Sequence, residues 1–137
     1  MSYGMAAALQ VAVFQHLSAD AEISARVGTA IYDALPSGTV PETYIALGPE
    51  EARDRSDVNG RGSEHRFTVS VVSEAAGFAA SKELAGLIGD ALEDAPLTLG
   101  RGRLVGLWFE RAVARRTGSG GAVRRIDLRF RARVEDN

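Results

Sequence analysis

Hydrophobic and polar positions along the chain change period repeatedly, and the changes mark its elements. Met5, Leu9, Val13 and Leu17 fall on one stripe at a spacing of four, with Ala12 and His16 beside it, which predicts a helix from Met5 to Leu17. Ser2 stands where an N-cap would. Asp20 is placed to cap a two-turn helix that packs Ile23 and Val27 and closes at Gly28. Ala30-Ile31-Tyr32 reads as a short extended piece, Pro36, Gly38 and Pro41 as a loop, and Thr43–Gly48 as a strand. From Glu64 to Ser73 the period is two. His65, Phe67, Val69 and Val71 share one face; Arg66, Thr68, Ser70 and Val72 share the other. Phe78 to Asp94 returns to helical spacing through Ser81, Leu84, Ala85, Leu87, Ile88, Ala91 and Leu92, and Pro96 stops it.

The longest pattern is the last, Arg103 to Val134. An apolar run, Leu104 to Phe109, leads through Arg111-Ala112-Val113 to the turn Thr117-Gly118-Ser119-Gly120-Gly121, where glycine tolerates the positive φ that hairpins demand. The return strand alternates. Ile126, Leu128, Phe130, Ala132 and Val134 point one way; Arg125, Asp127, Arg129, Arg131 and Arg133 point the other. One face goes to a core, and the other is a strip of guanidinium groups. The expected fold is α+β: a mostly antiparallel sheet of about four strands with a long C-terminal hairpin, the 78–94 helix packed on its apolar face and the N-terminal helix beside it.

One segment has no such period. Pro49 to Gly62 carries Glu50, Glu51, Arg53, Asp54, Arg55, Asp57 and Arg61, with almost nothing to bury. It reads as a solvated loop of about 14 residues, long for a compact domain, or as an arm that orders against a partner. Asp54, Asp57 and Asn59 do not meet the spacing of a calcium loop, so no metal is expected there.

At 137 residues the chain suits one domain around one core. No apolar run reaches the 18 or so residues of a membrane span, and the first residues lack a basic stretch and cleavage site, so neither a transmembrane helix nor a signal peptide is expected. Cysteine is absent, which excludes disulfides, thiol catalysis and zinc-thiolate sites and fits an intracellular origin. The net charge of −2 hides an asymmetry. Fourteen acidic and six basic side chains give residues 1–99 a charge of −8; four and ten give residues 100–137 a charge of +6. Copies of such a chain can complement one another.

Catalytic constellations are missing. There is no nucleophile elbow, P-loop or dinucleotide fingerprint, and His16 and His65 lie in separate elements without metal-pair spacing. Neither an enzymatic role nor a cofactor is expected. Arg125, Arg129, Arg131 and Arg133 suit phosphate geometrically, but no Phe or Tyr side chains are interleaved with them for base stacking, and a pI near 5.7 is wrong for a dedicated nucleic-acid binder. Their readings are a solvated or ion-paired outer sheet face, a protein interface, or a nucleic-acid surface.

The order of elements, with Val27-Gly28, Ala30-Ile31-Tyr32-Asp33-Ala34-Leu35-Pro36, Pro41 to Gly48, Val71-Val72-Ser73, one helix and a closing hairpin, resembles the tail-completion (tail-terminator) family of long-tailed phages and gene transfer agents. The resemblance covers nearly the whole chain, with Glu42-Thr43 between Pro41 and Tyr44 as a departure. It implies a small α+β subunit of a homo-hexameric ring, made in the bacterial cytoplasm and built into a virion or gene-transfer-agent particle at the head–tail junction. Such a ring would cap the tail tube protein and join the head-completion (stopper) protein, with DNA passing through unread and no membrane involved. From the residues, an acidic surface with Glu50, Glu51 and Asp54, near Arg53 and Arg55, is expected to meet the hairpin arginines of a neighbouring subunit. The alternatives are another head–tail junction or minor tail protein, or a small nucleic-acid-binding module.

Overall fold

A computed structural model describes residues 3–57 and 60–136, so the expected cap at Ser2 lies outside the described residues, as does Asn59. The chain opens with a 3-10 turn, Tyr3–Met5, then α1 (Ala6–Ala19) and α2 (Ala21–Val27). The strands are β1 (Ile31–Tyr32), β2 (Thr43–Asp54), β3 (Gly62–Ser73), β4 (Arg103–Thr117) and β5 (Val123–Glu135), with α3 (Ala79–Leu92) between β3 and β4. Asp20 caps α2 as its position predicts: its carboxylate accepts from the backbone N–H of Glu22 and Ile23, both at 3.0 Å. Gly28 follows at φ 58°, a left-handed value that glycine adopts without strain.

The sheet has five strands rather than about four, in the order β1-β2-β3-β5-β4. The extended piece at Ala30–Tyr32 supplies the extra one, a two-residue strand parallel to β2 at Ile45–Ala46, while the other pairs are antiparallel. All three helices lie on one face. Leu9, Val13, Leu17, Ile23, Leu84, Ile88 and Leu92 meet Ile45, Val69, Val71, Leu107, Leu128, Phe130 and Val134 in one continuous core. This burial supplies the main stabilisation, at about 25 cal/mol per Å² of apolar surface removed from water. The opposite face of the sheet is bare of helices and carries the arginines.

The expected loop at 49–62 is not one. β2 runs through Pro49 to Asp54 and pairs with Ser63–Ser73 of β3, with a register shift between Leu47 and Glu50. Beyond the strand end, Asp57 and Gly60 form an isolated antiparallel bridge. A proline and four charged residues hide a strand because the backbone ladder, and not apolar side chains, holds this end. Pro49 is tolerated because β1 covers only Ile45 and Ala46, leaving β2 as the sheet edge beyond them.

Candidate functional site

The arginine face is built by register. β5 lies at the centre of the four long strands, so its outward residues have neighbours on both sides: Glu64, Arg66 and Ser70 from β3, Trp108, Arg111 and Arg115 from β4. A bulge between Phe109 and Arg111 adds Glu110 to this face, where it lies 3.1 Å from Arg66, 3.6 Å from Arg129 and 3.8 Å from Arg131. Glu64 is 5% exposed and sits 3.1 to 3.7 Å from Arg55, Arg66 and Arg131. Asp127 takes Arg115 and Arg125, at 3.1 and 2.9 Å, and accepts a hydrogen bond from Ser70. Arg131 also lies over the Trp108 ring at 4.4 Å. Arg133 donates to the Arg55 carbonyl at 2.9 Å.

The face is therefore an ion-paired lattice inside one subunit. Of the acidic residues expected to serve a neighbour, Glu51 faces this lattice, 2.9 Å from Arg53 and 4.0 Å from Arg129 of its own chain. The Arg53 guanidinium holds the Glu51 carboxyl below the usual carboxylate range. Asp54 is exposed at the strand end and accepts from the Ser56 hydroxyl and backbone N–H, which lowers its pKa likewise. Glu50 faces the other way, toward the helices.

That orientation brings together a trio whose chemistry the sequence concealed. Glu50 Oε2 lies 3.2 Å from His65 Nδ1, and His65 Nε2 lies 2.9 Å from Ser63 Oγ. The order serine, histidine, carboxylate is that of an acyl-transfer triad. Ser63 and His65 are 1% and 0% exposed, so the hydroxyl has no approach to a substrate carbonyl. The trio instead anchors the N-terminus: the Tyr3 hydroxyl donates to Glu50 Oε1, and its ring stacks on His65 at 6.3 Å. Ser63 and His65 share a face by their spacing of two, but Glu50 joins them only through the β2–β3 register across the bulge.

The acidic end of α3, unfavourable for the helix dipole, also finds its use. The Glu93 carboxylate accepts the backbone N–H of Phe109 at 2.7 Å, beside the bulge. It thereby fixes β4 to the helix. Beyond that point α3 and β4 diverge, leaving an open groove of about 520 Å³ walled by Ala85, Gly86 and Gly89 on the helix and Ala112 and Ala114 on the strand. His16 lies 2.8 Å from the Ala91 carbonyl and ties α1 to α3.

Among the described residues no group of three or more potential ligands could hold a metal ion, and no helix is long and apolar enough to cross a membrane. Comparison with curated proteins gives no match. Among solved structures, the chain is similar to one in the virion of a native gene transfer agent particle, with 57% identity, 98% of this chain and 99% of that chain covered, and a TM-score of 0.92. The family model described as tail completion protein gp17 matches residues 11–135. With that match spanning most of its length, the chain belongs to the gp17 family of tail completion proteins.

Proposed function

We propose that this protein is a structural subunit of a tailed particle, forming a hexameric ring that ends the tail tube and joins it to the head-completion complex. The observation that carries the reading is the 57% identity, over nearly the full length of both chains, to a component of a native gene transfer agent virion. The geometry supports it in two ways. The Ser63–His65–Glu50 trio is sealed and holds Tyr3 in place, a packing use in keeping with a scaffold role. The acidic and basic parts of the chain also lie toward opposite edges of one sheet, an arrangement suited to head-to-tail contacts that close into a ring.

In this role the ring contacts itself, the tail tube protein and the stopper, and DNA passes through its channel. Arg125, Arg129 and Arg131 of the open face have carboxylates of their own subunit as partners, which weighs against a free-standing nucleic-acid module. The proposed contact between Glu50, Glu51 and Asp54 of one copy and Arg125, Arg129, Arg131 and Arg133 of the next is correspondingly narrower: Glu51 and Asp54 remain at the exposed strand end.

The test is the solution mass across a concentration series, alone and on isolated tail tubes, with electron micrographs of the same samples. A species of about 87 kDa, six times the 14.5 kDa chain, with a central hole supports the reading. A chain that forms no ring either alone or on tubes overturns it. Salt-dependent binding of bare DNA by the monomer would favour the nucleic-acid alternative instead.

A further inference from the structure

The two outer edges of the sheet differ in charge and in shape. Around the β1–β2 edge, residues 20–54 carry seven carboxylates against Arg26 and Arg53. Along the β4 edge, residues 101–117 carry five arginines against Glu110 alone. Arg111 and Arg116 are exposed and pair with no carboxylate among the described residues, whereas Arg125, Arg129 and Arg131 of β5 each have one. These uncommitted cations lie along the edge strand, Arg111 opposite Arg129 on its open side and Arg116 opposite Arg124 on its helix side.

Beside that edge is the groove between α3 and β4. Its helix wall includes Gly86 and Gly89, where an added Cβ would meet nothing within 4 Å. Glycine inside a helix costs about 1 kcal/mol relative to alanine, so the wall is kept low at some expense in stability. At the opposite edge of the molecule, the loop from Asp33 to Glu42 presents Leu35, 54% exposed, between Asp33 and Pro36. It offers an apolar side chain flanked by carboxylates, against an apolar groove beside an edge strand that carries unpaired arginines.

We infer that the groove receives this loop from a second copy of the chain, with Leu35 between Gly89 and Ala112 and with Asp33 and Glu42 against Arg111 and Arg116. Charge complementarity between the two edges identifies the occupant. On the α3 rim the carboxylates of Asp90 and Glu93 outnumber Lys82, which turns the acidic flank toward β4. Because the two surfaces lie on opposite edges, the contact is heterologous: each copy offers both halves, and repetition closes a ring or extends a filament. The inference rests on the ring reading and specifies which surfaces make it.

The chain has no cysteine, so a Leu35→Cys, Ala112→Cys double variant reports the contact by oxidative cross-linking. Under conditions where the unaltered chain assembles, it should give a ladder of linked copies, whereas either single variant gives no species beyond a dimer. In parallel, Arg111→Glu with Arg116→Glu, and separately Asp33→Arg with Glu42→Arg, should raise the midpoint concentration of assembly roughly tenfold or more. Combining all four changes should restore it, with thermal unfolding showing each variant folded. Absence of the ladder while the unaltered chain still assembles overturns the assignment of surfaces and leaves the ring standing. A chain that never assembles overturns both.

Discussion

Glu64 shows how one side chain organises the arginine face. It is nearly buried, yet touches three guanidiniums that are themselves 28 to 47% exposed. Solvent screening reduces what each pair contributes. Removing the carboxylate leaves three like charges facing one another, so Glu64→Ala should destabilise the subunit by about 1–3 kcal/mol, read as a lower denaturant midpoint. Glu64→Gln should fall between. Tyr3 gives a pH-dependent counterpart. Its hydrogen bond to the Glu50 carboxylate, together with the charge of that group, raises its pKa above 10.0. A group with a raised folded pKa adds stability below the unfolded value and loses it as pH rises through the folded one. The N-terminal turn should therefore detach only in strongly alkaline solution. Ultraviolet titration should show one late-ionising tyrosine, absent in Tyr3→Phe.

Among the elements, α3 and β4 depend on each other. The Glu93 carboxylate holds the backbone at the β4 bulge, and the Asp94 N–H donates to the Leu107 carbonyl at 3.1 Å. Glu93→Ala should cost about 0.5–1.5 kcal/mol and raise amide exchange at Phe109, with Glu93→Gln retaining most of the protection. Gly86→Ala and Gly89→Ala work in the opposite direction. Each should stabilise the monomer by roughly 0.5–1 kcal/mol in thermal unfolding, because a Cβ there meets open space and favours the helix. If the groove is occupied by a neighbour, the same changes should weaken assembly while strengthening the fold.

Across the whole molecule, charge is sorted by sheet position. Ion pairs of the open face are satisfied within the subunit, while the two edges keep opposite and unspent charge. Reversing Arg129 and Arg131 to glutamate would place new carboxylates beside Glu64 and Glu110. That double variant should unfold at lower denaturant as a monomer, and its loss of assembly would not isolate an interface. Edge variants such as Arg111→Glu avoid this, since Arg111 pairs with no carboxylate among the described residues.

Period alone was enough for the elements that bury one face. The alternation from Arg125 to Val134, the helical stripe from Phe78 to Leu92 and the Asp20 cap are local consequences of side-chain direction and backbone hydrogen bonding. They made the α+β class, the hairpin and the family resemblance legible. The distal half of β2 was not, because Pro49 to Asp54 buries little and is held by a ladder whose other strand is remote in sequence. For the same reason the trio of Ser63, His65 and Glu50 and the carboxylate of Glu110 beneath three arginines were invisible: each depends on cross-strand register, shifted by bulges. Composition could show that the chain is acidic early and basic late. Strand order was needed to set those charges on opposite edges, since adjacency in a sheet comes from pairing and not from position along the chain.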